Sequence, residues 1–162
     1  MEINQQNLRK ALGCFATGVT IVTGLGAEGE KLGVTASSFN SVSLDPPLVL
    51  FSLNRRAYSM PHFLDSGHFA VNVLREGQEE LASRFATPMT DKWAGIDYEI
   101  WDFGCPILSG ALANFECKTR YTYDGGDHVI FVGAIERMRA DPQGHPLLFF
   151  GGRYQSLVRE KA

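Results

Sequence analysis

The sequence is poor in the features that announce a site on their own. Its three cysteines, Cys14, Cys105 and Cys117, are odd in number and form no CxxC pair, which excludes a disulfide framework and fits reduced thiols. Its four histidines, His62, His68, His128 and His145, lie far apart, and no zinc-ligand spacing appears among them. No GxGxxG opens a helix, and no GxxxxGK is followed by Ser or Thr, so the two common phosphate cradles are missing. No apolar run approaches the roughly 18 residues that carry a helix across a membrane. The opening residues MEINQQNLRK lack the apolar core of a signal peptide, and the expected compartment is the cytoplasm. Lys and Arg total 15 against 18 Asp and Glu, for a net charge of −3. Without a basic stripe, nucleic acid is not an expected partner.

What remains is a chain of 162 residues, 44% hydrophobic and 20% charged. These proportions predict one globular domain over residues 1–162 with a real core. The 17 glycines exceed the usual share of about 7%. Such an excess points to many turns or to close approach of backbone to a ligand.

The apolar period along the chain predicts few helices and many strands. Leu8, Leu12 and Phe15 recur at helical spacing over residues 4–16, with Asn4 placed to cap them. GVTIVTGL then reads as a strand, AEGE as a turn and KLGVTASSF as a second strand, stopped by the prolines of LDPP. LVLFSLN is a continuous apolar run, expected to be buried on both faces. Residues 58–66 read as a short helix with Ser59 near its cap and Pro61 in its first turn. HFAVNVL is a strand, GQEELASRFA a helix, and residues 87–106 a loop. In ALANFECKTRYTY, Ala113, Phe115, Cys117, Thr119, Tyr121 and Tyr123 share one face. Asn114, Glu116, Lys118 and Arg120 share the other, expected to be wet. DGGD turns this strand into HVIFVGAIERM, and PLLFFGGRYQSL supplies a final strand. The expected fold is mostly β, a small antiparallel barrel with peripheral helices.

One stretch, GVTASSFNSVSLDPPLVLFSLNRR, gathers Thr35, Ser37, Ser38, Ser41 and Ser43 between apolar strands. Hydroxyls, turn N–H groups and a nearby arginine hold a phosphate without a glycine-rich loop. A flat heterocycle fits the same stretch, with Ala36, Phe39, Val42 and Leu44 as an apolar floor. Ordinary strand serines on a wet face account for the run equally well.

FATGVTIVTG, GVTASSFNSVSLDPPLVLFSL, HFAVNVL with LASRFA, GDHVIFVGAIE and PLLFFGGRYQSL occur in this order between about Leu8 and Leu157. Together they resemble the short-chain flavin reductases, with their FMN-binding split β-barrel of Greek-key-like antiparallel strands. The resemblance implies an NAD(P)H:flavin oxidoreductase, a homodimer that reduces FMN or FAD with NADH or NADPH and supplies a separate flavin-dependent oxygenase component. It also implies site residues. Thr35, Ala36, Ser37 and Ser38 would line the isoalloxazine edge and ribityl chain, with Ser41 and Val42 beside them. Ser52, Asn54 and Ser59 would meet the phosphate, with Arg55 or Arg56 adding charge. Arg84 and Phe85 would reach the flavin or its adenosine extension, although Phe85 equally fits a core position. His128, Gly18, Thr20, Arg153 and Tyr154 would form the nicotinamide site. No nucleophile and no acid–base pair is expected, because the cofactors carry the reactivity and the protein holds reacting atoms about 3–3.5 Å apart. A non-catalytic flavin carrier or sensor on the same barrel is the alternative. A relative of pyridoxamine phosphate oxidase fits less well, given the DPP and GDH motifs.

Overall fold

The computed structural model describes residues 2–88 and 91–158. In chain order these form α1 (Gln5–Leu12), β1 (Thr17–Gly18), β2 (Thr20–Leu25), β3 (Lys31–Ala36), β4 (Asn40–Leu44) and β5 (Pro47–Asn54). There follow α2 (Met60–Ser66), β6 (His68–Val73), α3 (Glu79–Ala86), β7 (Tyr98–Ile100) and β8 (Pro106–Leu108). The chain continues with β9 (Ala113–Gly125), β10 (His128–Ala140), β11 (Leu148–Phe150) and β12 (Arg153–Gln155).

Seven strands make one antiparallel sheet in the order β3-β2-β6-β9-β10-β5-β4. Its two edge strands, β3 and β4, are consecutive in the chain and separated only by residues 37–39. The sheet therefore curls round until its edges meet, which is a barrel with a seam. Alternation assigns the faces. Val22, Val49, Phe51, Leu53, Phe69, Val71, Cys117, Val129 and Phe131 point inward and make the main core. Phe51 stacks on Phe131 at 5.0 Å and meets Phe69 edge-on at 4.9 Å. The α2 helix brings Met60 and Phe63 into the same core.

A second layer lies on the outer face of β2, β6 and β9. It comprises α3, β7, β8 and the small sheet β1-β11-β12. Val19, Ile21, Leu74, Ala82, Phe85, Leu108 and Leu147 form its core. Hydrogen bonds between buried side chains fasten this layer to the sheet. Asn72 Nδ2 donates to Ile21 O and Thr23 Oγ1, while its Oδ1 accepts from Leu108 N at 2.9 Å and Asn114 Nδ2 at 2.8 Å. Thr23 Oγ1 donates to Pro106 O at 2.6 Å. The Glu116 carboxylate, 0% exposed, accepts from Asp102 N and Phe103 N.

That layer corrects one expectation. Asn114 and Glu116 lie on the face of β9 expected to be wet, and both are buried. Alternation holds from Ala113 to Thr119, and the segment from Tyr98 to Leu108 covers the face; a bulge at Arg120 then moves Tyr121 and Tyr123 to the face opposite Cys117 and Thr119, which corrects the single face expected for all six. A further correction concerns β5. Only Val49, Phe51 and Leu53 are buried, and Leu48, Leu50, Ser52 and Asn54 on the opposite face are half-buried. The final strand is a hairpin, β11-β12, whose turn residues Gly151 and Gly152 both have positive φ. Two such residues are what a two-residue hairpin turn of this hand requires. The strand expected over 31–39 ends at Ala36, and β4 begins at Asn40. The α1 helix stops at Leu12; Asn4 caps it by accepting from Asn7 N at 2.9 Å, and Leu8, Leu12 and Phe15 are exposed.

The thiols divide by burial. Burial pushes the Cys105 thiol up to about 12 and raises that of Cys117 as well, whereas Cys14 is exposed. A raised pKa keeps a thiol protonated and unreactive at pH 8. An aromatic disulfide reagent at pH 8 is therefore expected to label one thiol per native chain, Cys14, and three per chain in denaturant. Three fast-reacting thiols in the native state would contradict this burial.

Candidate functional site

The hydroxyl-rich stretch lies at the barrel seam. In an antiparallel ladder, residues whose N–H and C=O face the neighbouring strand alternate with residues whose groups face away. On β3 the outward set is Lys31, Gly33 and Thr35. Trp93 Nε1 donates to Lys31 O at 3.0 Å, and Lys92 Nζ to Gly33 O at 3.5 Å. No side chain among the described residues donates to Thr35 O. The edge of β3 is thus covered along its first half and open from Thr35 onward. The Thr35 hydroxyl is engaged inside, donating to Ala82 O of α3 at 2.6 Å. Ala36 packs its methyl against the barrel core, and its carbonyl accepts from Thr20 Oγ1 at 2.8 Å.

Across the seam, the register of β4 on β5 pairs Asn40 with Leu50, so the next rung would pair Ser38 with Ser52. The Ser38 side chain occupies that rung. Its hydroxyl accepts from Ser52 N at 2.9 Å and donates to Ser52 O at 3.1 Å. Ser37 and Ser41 are exposed, Val42 is 47% exposed beside a bulge between Ser41 and Ser43, and Ser59 is half-buried. The hydroxyls of Ser37, Ser41, Ser52 and Ser59 have no partner among the described residues.

The barrel brings two groups together that are far apart in sequence. The β5–β10 register pairs Asn54 with His128 and Ser52 with Ile130. His128 Nδ1 lies 2.7 Å from Asp127 Oδ1, and this hydrogen bond holds the Asp127 carboxyl below the usual carboxylate range. Asn54 Oδ1 accepts from Arg56 N at 2.8 Å, leaving its amide nitrogen without a partner among the described residues. Arg55 is already engaged: its guanidinium pairs with Asp124 and donates to Gly126 O. Arg56 has no ion pair among the described residues.

Arg84 donates to Ala94 O at 3.0 Å and pairs with Glu80. Phe85 is 0% exposed, belongs to the second core and meets Trp93 edge-on at 5.0 Å. Its ring touches the α-carbon side of Gly33, where a Cβ would lie 2.3 Å from Phe85 Cε1. A wholly buried ring is a core residue rather than a surface contact. Gly18, Arg153 and Tyr154 meet in the small sheet. Gly18 pairs with Leu148, Arg153 with Phe150 and Tyr154 with Phe149. Tyr154 packs edge-on to Phe149, whereas Arg153 is exposed and unpaired among the described residues. Thr20 is buried.

Sequence reasoning missed the strap over residues 91–94, which covers the edge of β3. Asp91 Oδ1 accepts from Trp93 N and Ala94 N, shaping a turn that aims Lys92 and Trp93 at β3. The signal was a charged and aromatic DKW inside a stretch read as loop.

Residues 12–158 match the family described as the flavin reductase like domain. SmoA of Agrobacterium fabrum, an FMN reductase (NADH), is 44% identical over 157 residues, covering 97% of this chain and 88% of its own. HsaB of Mycobacterium tuberculosis, the reductase subunit of a flavin-dependent monooxygenase, is 38% identical over 162 residues, 99% of this chain and 86% of its own. Among solved structures, the NADH:FAD oxidoreductase SgcE6 of Streptomyces globisporus, in complex with NAD and FAD fragments, has a TM-score of 0.93 at 37% identity. That match covers all of both chains. The chain belongs to the flavin reductase-like family.

Proposed function

We propose that the protein passes a hydride from NADH or NADPH to FMN or FAD and delivers reduced flavin to a separate oxygenase component. The naming of SmoA, HsaB and SgcE6 supports the reaction, and HsaB's description as a reductase subunit supports the oxygenase partner. The observation that carries the reading is the open half of the β3 edge, with the unpartnered hydroxyls of Ser37, Ser41 and Ser52 along the seam that follows it. Neutral donors next to free main-chain groups suit a planar heterocycle with polar edges and a phosphate tail. The donor set therefore fits a flavin.

Bound flavin supplies the hydride acceptor and bound nicotinamide the donor. Thr35, Ala36 and Ser37 read the ring edge through main chain and hydroxyl. Ser38 holds the seam so that Ser52 presents its own hydroxyl, and Ser41 and Val42 flank it. Ser52, Asn54 and Ser59 take the phosphate; Arg55, neutralised by Asp124, organises the β9–β10 turn beside them. Arg84 borders the far side. His128 orients the nicotinamide, with Gly18, Arg153 and Tyr154 forming the facing wall; Thr20, 2% exposed with its hydroxyl donated to Ala36 O, stands behind them as a scaffold residue rather than a contact. Leu48 and Leu50 on the outer face of β5 have no covering layer among the described residues, and beside them the edge strand β4 exposes Val42 and Leu44, Leu44 being 94% exposed. A second copy of the chain covers that face in a homodimer. The cytoplasm, where reduced nicotinamides are held, is the compartment.

Mixing the protein with FMN and NADH under nitrogen tests the reading: bleaching of the yellow band supports a reductase, and a persistent band a carrier. In the same assay His128→Ala is expected to raise the KM for NADH about tenfold, the worth of one good hydrogen bond, with flavin affinity nearly unchanged. Equal losses for both ligands would remove His128 from the nicotinamide site.

A further inference from the structure

We infer that Lys92 is a positioning residue for the flavin-reading edge of β3, holding it in register with α3 through two carbonyls. The inference rests on the flavin site proposed above. Lys92 Nζ donates to Phe85 O at 3.0 Å and to Gly33 O at 3.5 Å. Phe85 O belongs to the last turn of α3, whose closing carbonyls lack helical partners and carry the negative end of the helix dipole. Gly33 O belongs to the outward edge of β3, two residues before Thr35. A single ammonium therefore ties the end of the helix to the strand at the point where the covered edge gives way to the open one.

Two further contacts make the tie a geometric constraint. Thr35 Oγ1 donates to Ala82 O one turn earlier in α3, so helix and strand are pinned at two levels. Between the pins the Phe85 ring lies against Gly33, and Trp93 lies within 3.2 Å of where a Cβ at Gly33 would stand. Any larger residue at position 33 would therefore displace the Phe85 ring from between strand and helix. Lys92 is half-buried, and burial lowers its pKa from the usual lysine value. Its ammonium faces no carboxylate among the described residues and is satisfied by main-chain carbonyls. Removing it frees the helix end to lift, and the Thr35–Ser38 edge moves with it. Misplacing a reading edge weakens every ligand that uses that edge.

A direct contact between Lys92 and a flavin phosphate would give a different pattern, and the choice of flavin separates the two. Flavin affinity is measured by fluorescence for riboflavin and for FMN, with wild type, Lys92→Met and Lys92→Arg, alongside thermal melts. The expected result for Lys92→Met is a loss of about tenfold in affinity for both flavins, consistent with losing charge-assisted hydrogen bonds. The KM for NADH stays within about twofold at saturating flavin, and Lys92→Arg recovers most of the loss. A loss confined to FMN would make Lys92 a phosphate ligand and overturn the inference. So would unchanged affinity in Lys92→Met, or losses in NADH KM matching those for flavin. If Lys92→Met does not fold, Lys92→Gln carries the same comparison. Wild-type protein that binds neither flavin would instead overturn the proposed function.

Discussion

Asn72→Ala is expected to cost about 4 kcal/mol of stability, among the largest single losses available in this chain. Asn72 is 0% exposed and uses all of its hydrogen-bonding positions usefully: two donated bonds to β2 and two accepted bonds from Leu108 N and Asn114 Nδ2. Alanine leaves the Leu108 amide buried without a partner, and each such group costs about 1–3 kcal/mol. It also opens a void beneath β8. In a chain of this size the melting temperature should fall by roughly 8–16 °C. Urea denaturation measures the loss directly, and a change below about 1 kcal/mol would show that the outer layer is held by apolar packing alone.

Phe85→Ala is expected to cost about 4 kcal/mol through the cavity it leaves between α3 and β3. The same variant decides between the two readings of this residue. A core ring takes stability with it, because Trp93, Ala82 and Gly33 lose their common neighbour. A ring that touched the flavin would instead cost affinity at nearly constant stability. Denaturant melts and flavin titrations on one preparation report both quantities, and a stability loss under about 1 kcal/mol would return Phe85 to the ligand site.

The β9–β10 hairpin was legible in the sequence because period two and the DGGD turn are local signals. The observed strands run from Ala113 to Gly125 and from His128 to Ala140 around that turn. Asn114 and Glu116 were not legible as buried residues. Alternation tells which side chains share a face, and polarity suggests water, but neither reveals that a distant segment covers the face and supplies hydrogen-bond partners. The apolar run of β5 misled in the opposite direction: Leu48 and Leu50 are apolar without being core. The hydroxyl run is visible as a local feature of the sequence, yet its partners at the seam come from a register between Ser38 and Ser52 that no local pattern encodes. His128 beside Asn54 is a contact between residues 74 positions apart in a β-ladder. Lys92 carried no periodic signal, since its role depends on where a loop crosses a strand edge.

The sheet separates two apolar interiors that share a backbone but few side chains: one inside the cylinder around Phe51 and Phe131, the other outside around Ile21 and Leu108. Volume changes on opposite sides of such a wall have no common neighbours through which to couple, so their energetic effects add. The proposed flavin site sits where this wall ends. Sequence drift in either interior can therefore proceed separately, so long as the rim where the wall closes keeps its shape.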